Sequence, residues 1–134
     1  MKIKFFNPNS LDRNLKATIH KSGKLGFTVD AANKMELKSS ISASVGMNED
    51  DEKDKSLYIM LHDEIIDDTF RVAKAGDYYY LNLKSLFDTL RVNYKEQSII
   101  YDITEEVIDG KKLYKLTQRE NGKKNKNEIA ESNL

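Results

Sequence analysis

The sequence lacks cysteine and tryptophan altogether, and it has one proline among its 134 residues. The absence of cysteine excludes disulfides, thiolate catalysis and cysteine-based zinc or iron–sulfur sites. No apolar run approaches the roughly 18–20 residues of a membrane-spanning helix, and the opening sequence MKIKFFNPNS has no signal-peptide apolar stretch. We therefore expect a cytoplasmic protein, or a phage protein made in a cytoplasm.

The formal net charge is zero, because 22 basic side chains balance 22 acidic ones. The two signs are unevenly distributed, however. Residues 1–48 carry eight Lys and Arg against three Asp and Glu, whereas residues 49–68 carry two against nine. A basic segment favours an anionic partner, while the zero total charge argues against strong non-specific binding to nucleic acid.

The apolar pattern predicts the same series of elements twice. Each unit begins with a hairpin that turns at a glycine, Gly23 or Gly76, and continues through a short helix to two further strands. Asp30 is predicted to cap the first helix. The predicted strands are two within Leu15–Val29, then Ser39–Val45, Ser56–His62, Phe70–Ala75, Tyr78–Leu81, Ser98–Val107 and Lys111–Gln118.

This order predicts an α+β protein. Two ββαββ repeats would form a pseudo-two-fold, mostly antiparallel β-barrel or sandwich with short helices. We place one domain at 13–119, with repeats at about 13–66 and 67–119. An N-terminal arm (1–12) precedes the domain, and a flexible polar tail (120–134) follows it.

The segment Gly23–Leu37, with sequence GKLGFTVDAANKMEL, resembles the AbrB/MraZ-like swapped-hairpin family of bacterial regulators. Val29, Met35 and Leu37 occupy the apolar positions of that motif, and two units in one chain resemble the MraZ arrangement. The resemblance implies a DNA-binding transcription regulator and is compatible with a homodimer. Lys24 matches the basic position after the turn glycine. Asp77 takes that position in the second unit, so we expect the first unit to face the anion.

Double-stranded DNA is accordingly the first partner that we predict. Lysines of the first hairpin and helix would contact phosphates, and two neighbouring side chains would reach base edges. The phosphate-binding candidates are Lys16, Lys21, Lys24 and Lys34, and the base-reading candidates are His20 and Asn33. We predict no catalytic residues, no metal and no cofactor, because the sequence contains no phosphate-binding loop and no metal-ligand or catalytic motif.

Two alternatives remain open. The acidic segment 49–54 and the tyrosines Tyr78, Tyr79 and Tyr80 are also typical of a protein-interaction module, such as a phage assembly component or inhibitor. On a strand, Tyr79 faces away from Tyr78 and Tyr80, so one side packs inward and the other is available for stacking. Stacking on bases, together with the basic tail, would instead indicate a single-stranded nucleic-acid-binding protein.

Overall fold

The computed structural model describes residues 1–6 and 14–120, which form nine strands and two short helices. Half of the predicted arm and nearly all of the predicted tail lie outside these residues. The elements are β1 (Lys16–Ile19), β2 (Lys24–Phe27), α1 (Val29–Lys34), β3 (Ser42–Gly46), β4 (Leu57–His62), β5 (Phe70–Arg71), β6 (Ala73–Ala75), β7 (Tyr78–Asn82), α2 (Lys84–Thr89), β8 (Ile99–Ile108) and β9 (Lys111–Gln118).

All nine strands belong to one sheet in the order β5-β3-β4-β9-β8-β1-β2-β7-β6, and each strand pairing is antiparallel. The two ends of this order, β5 and β6, are separated in the chain only by Val72. The sheet therefore curls until its edges almost meet. The prediction of a mostly antiparallel barrel with short helices is confirmed in this form.

The prediction of one continuous strand from Phe70 to Ala75 is wrong at Val72. Residues before Val72 pair with β3, and residues after it pair with β7. Val72 itself is buried and donates its amide to the carbonyl of Ile41, with N···O 3.1 Å. The ladder breaks there because the chain exchanges one neighbouring strand for another.

The prediction that Asp30 caps the first helix is also wrong, by two residues. The cap is Thr28, whose backbone is extended (φ −62°, ψ 160°) and whose hydroxyl accepts from the amide of Ala31 at 3.2 Å. Asp30 lies inside the first turn, where its carboxylate accepts from the amide of Asn14 at 3.3 Å. Its negative charge still complements the helix N-terminus.

Both helices end in the same way. Each is followed by a residue in the left-handed region, Glu36 (φ 55°) after α1 and Arg91 (φ 59°) after α2. The next amide then closes a six-residue turn, because Leu37 and Val92 donate at 3.0 Å to carbonyls near the end of the helix. Glycine usually occupies such a position, and a residue with a Cβ costs about 1 kcal/mol there.

The barrel interior is filled by alternate residues of the strands, as the period of two requires. Leu25, Ile59, Leu81 and Leu116 are at most 1% exposed. Phe87 of α2 is fully buried, and its ring lies 6.0 Å from that of Tyr94. The helices thus add apolar side chains to a core that the sheet mainly builds.

The strand register decides which loops share an end of the barrel. Ile19, the last residue of β1, pairs with Ile99, the first residue of β8, and the start of β4 lies beside the end of β9. The β1–β2 turn and the acidic β3–β4 loop (47–56) therefore lie at the same end. Helix α1 and the β8–β9 turn lie at the opposite end.

Candidate nucleic-acid interface

One row of residues runs across the outside of five strands. Ala73, Tyr80, Gly26, Thr18 and Ile100 are successive partners on β6, β7, β2, β1 and β8. On β7, β2, β1 and β8 the residues next to them along the strands are in the core or packed against it, so this row faces outward. The sheet thereby carries tyrosines of the second half of the chain onto the hairpin of the first half.

Four side chains meet on this face and form what we call the tyrosine patch: His20, Lys24, Tyr78 and Tyr80. The two tyrosine rings are stacked, with centroids 6.1 Å apart and planes inclined by 24°. The Tyr78 hydroxyl is hydrogen-bonded to Nε2 of His20, whose ring meets the tyrosine edge-on at 5.5 Å. Burial raises the pKa of Tyr78 above its ordinary value.

Lys24 supplies the positive charge of the patch. Its Nζ lies 4.7 Å from the centroid of the Tyr80 ring, within the range of a cation–π contact. The result is an outward aromatic surface with a cation beside it. Neutral aromatic stacking and charge attraction are thus available at one place.

Gly26 makes room for the patch. A Cβ built on Gly26 would lie 1.2 Å from the hydroxyl oxygen of Tyr78 and 2.8 Å from Nε2 of His20. The tip of Tyr78 therefore lies directly over this glycine, which is itself buried. Sequence reasoning missed Gly26, although a glycine inside a strand is a recognised sign of close approach.

Tyr79 lies on the opposite face from its two neighbours, as the strand period predicts. It is partly buried against the core, and Lys74 places its Nζ 5.6 Å from the ring centroid. Tyr79 is therefore a packing residue, and the outward aromatic surface belongs to the half-buried Tyr78 and Tyr80.

The predicted basic residues are separated into two groups. Lys24 belongs to the tyrosine patch, and Lys21 lies in the β1–β2 turn next to His20 of that patch. Lys34 instead forms an ion pair with Glu105 at 3.4 Å, about 20 Å along β8 from the residue that pairs with the turn end of β1. Asn33, next to Lys34 on α1, shares that distant end.

Lys16 lies opposite Asp102 in the β1–β8 register. The carboxylate of Asp102 is already held by two guanidinium contacts from Arg119, at 2.6 and 3.3 Å. Both partners are about half exposed, so this ion pair contributes little to stability.

The acidic segment 49–54 is an ordered part of the β3–β4 loop. Asp54 accepts from the hydroxyl of Tyr58 at 2.6 Å and from the amide of Ser56 at 3.0 Å. These bonds hold the pKa of Asp54 well below its usual range, and the same contact raises the pKa of Tyr58 to about 12. The loop shares an end with the basic β1–β2 turn, so its charge opposes a long anionic partner there.

A serine–histidine pair lies on the outside of β3 and β4. Ser44 Oγ is 2.7 Å from Nε2 of His62. Within 1–6 and 14–120, no carboxylate is hydrogen-bonded to His62, so the pair lacks the group that would orient a catalytic base. The same ranges hold no cluster of three metal-ligating side chains and no helix of the length and apolarity that crossing a bilayer requires.

Comparison of the chain with protein-family models, curated proteins and solved structures finds no match. Function is therefore inferred from the chemistry of the site itself.

Proposed function

We propose that the protein is a non-catalytic nucleic-acid-binding protein and that it holds an unpaired strand on the tyrosine patch. The observation that carries the proposal is the outward stack of Tyr78 and Tyr80 with Lys24 beside it. Aromatic rings on a sheet surface bind bases because every base has a π face, and each stacked base contributes about 1–3 kcal/mol. A neighbouring ammonium group attracts the phosphate that joins those bases.

An unpaired strand suits this site better than a duplex. Base faces are covered by their neighbours in a duplex, so a stacking surface reaches them only when the strand is single. Duplex binding depends on many phosphate contacts, yet Lys34 is paired with Glu105 at the far end of the barrel. The acidic loop, at the same end of the barrel as the β1–β2 turn, weakens duplex attraction further.

Duplex DNA, bound by an AbrB-like regulator, is the second candidate. It rests on the proposal that the barrel consists of two ββαββ units related by a pseudo-two-fold axis. Gly23 and Gly76 both turn hairpins with positive φ, and Glu36 and Arg91 end the two helices alike. The antiparallel pairing of β2 with β7 is what such an axis requires.

Fluorescence anisotropy distinguishes the two candidates. A labelled oligothymidine of about 15 nucleotides and a duplex of the same length are titrated with the protein at about 50 mM salt. We expect the single strand to bind more tightly. Tighter duplex binding would favour the AbrB-like candidate, and no binding to either would refute both.

Two variants locate the contact. Tyr80→Ala should weaken oligothymidine binding about tenfold, the equivalent of losing one stacked base. Tyr58→Ala is the matched control, because Tyr58 is another sheet tyrosine with a lysine near its ring, Lys115 at 5.9 Å. Its removal should leave the affinity unchanged. Equal losses in the two variants would contradict binding at the tyrosine patch.

A further inference from the structure

A cavity of about 330 Å³ opens at the end of the barrel that carries the acidic loop. Its walls come from the β3–β4 loop, the segment after α2, and the adjoining ends of β8 and β9. Leu57 and Ile99, both at most 3% exposed, provide apolar wall. This volume lies within the range of small-molecule sites, and the lining residues are distinct from those of the tyrosine patch.

Tyr101 lines the cavity, and its hydroxyl lacks a partner among the described residues. The side chain is 3% exposed, and within the described ranges its hydroxyl makes no hydrogen bond. Buried tyrosine hydroxyls normally find one. Tyr58 and Tyr94, by contrast, each donate to an aspartate. The Tyr101 hydroxyl is therefore a donor available to a molecule inside the cavity.

The charged residues lining the cavity are both positive. Arg91 and Lys55 border it, and no acidic side chain is among the described lining residues. Neither cation takes part in a salt bridge within that part of the chain. Arg91 also occupies a left-handed position where glycine is the usual residue. An apolar wall, an unpaired donor and two unpaired cations together define a site for an amphiphilic anion.

We propose that this cavity binds a small organic acid, with its apolar body against Leu57 and Ile99 and its anionic group held by Arg91, Lys55 and the Tyr101 hydroxyl. Charge-assisted hydrogen bonds are the strongest polar contacts available to such a ligand. The site is independent of the nucleic-acid proposal, because the two use different residues. Failure of either leaves the other standing.

The test is a titration of the full chain with three probes that share a naphthalene ring and differ in their polar group. Binding is measured by ¹H–¹⁵N chemical shifts and by calorimetry. The probes are 1-naphthoate, its neutral amide 1-naphthamide, and 1-naphthyl phosphate. We expect both anions to shift the amides of Arg91 and Tyr101 and the neutral amide to bind about tenfold more weakly. Whichever of the two anions binds more tightly identifies the site as one for carboxylates or for phosphates.

Substitutions then separate the charge from the fold. Arg91→Gly removes the cation and places glycine where the backbone favours it, so the variant folds at least as well as the wild type. Glu36→Gly is the matched control, because it makes the same backbone change after α1, away from the cavity. Binding of the anionic probe should fall about tenfold in Arg91→Gly and stay unchanged in Glu36→Gly.

Tyr101→Phe tests the hydroxyl. It removes no hydrogen bond within the described protein, so stability at neutral pH should not fall, whereas affinity for the anionic probe should fall about threefold to tenfold. Equal binding of the neutral and anionic probes, or unchanged affinity in both Arg91→Gly and Tyr101→Phe, would overturn the proposal. The proposal would also be overturned if none of the three probes bound.

Discussion

Alkaline unfolding provides the most direct test of the burial of Tyr101. Burial raises the pKa of Tyr101 from its ordinary value of 10.0 to about 12. The unfolded chain therefore loses this proton at lower pH than the folded chain does. This difference in pKa adds to the free energy of unfolding. The contribution of Tyr101 is complete below about pH 10 and is lost as the pH rises through about 12. Two pKa units correspond to about 2.7 kcal/mol.

The measurement is urea unfolding, followed by circular dichroism at about pH 8 and about pH 12. We expect the free energy of unfolding to fall with pH in the wild type and to fall by about 2–3 kcal/mol less in Tyr101→Phe. Tyr80→Phe is the control and should lose as much as the wild type, because that ring lies on the outside of the sheet. Equal losses in Tyr101→Phe and the wild type would refute the reasoning.

Three further substitutions test the backbone. Gly23→Ala should cost more than about 2 kcal/mol in urea unfolding, since its φ is +90° and the new Cβ would lie 2.4 Å from the Cβ of Lys84. Gly76→Ala, with φ +62° and open space around it, should cost about 1 kcal/mol; equal costs would contradict the role of Lys84. Gly26→Ala should cost about 1–3 kcal/mol in the wild type and little in a Tyr78→Ala background, where the new Cβ no longer meets the Tyr78 hydroxyl. If the costs of the two substitutions simply added, the contact between Gly26 and Tyr78 would be contradicted.

The regular elements were predictable from the sequence because their causes are local. Alternation predicted the β1–β2 hairpin, and Gly23 marked its turn. The break at Val72 was not predictable in this way, because it arises where the strand changes partners, between residues distant in the chain. The helix cap at Thr28 was missed by two residues for a local reason. Asp30 has the right side chain, and only the backbone angles show which residue precedes the helix.

The site was predictable in its residues but not in their arrangement. His20 and Tyr78 were both identified as candidates, yet they are 58 residues apart and meet only because β2 pairs with β7. No local pattern specifies that pairing. Lys34 was grouped with the hairpin lysines because it is close to them in sequence, while the fold places it beside Glu105. Proximity along the chain is a poor guide to charge on a curved sheet.

The near-closure of the sheet at Val72 limits how a partner can attach. Two of the five residues of β3 pair with β5, so within 1–6 and 14–120 Ser44–Gly46 have no strand neighbour on that side. On the other edge, β6 exposes only Ala73–Ala75. Three residues make too short a template for strand addition or edge-to-edge aggregation. Neither end of the strand order therefore offers a partner a strand to extend. Within the described residues the longer open edge is Thr104–Ile108 of β8, which lies beyond the residues that pair with β1 and pairs only with β9.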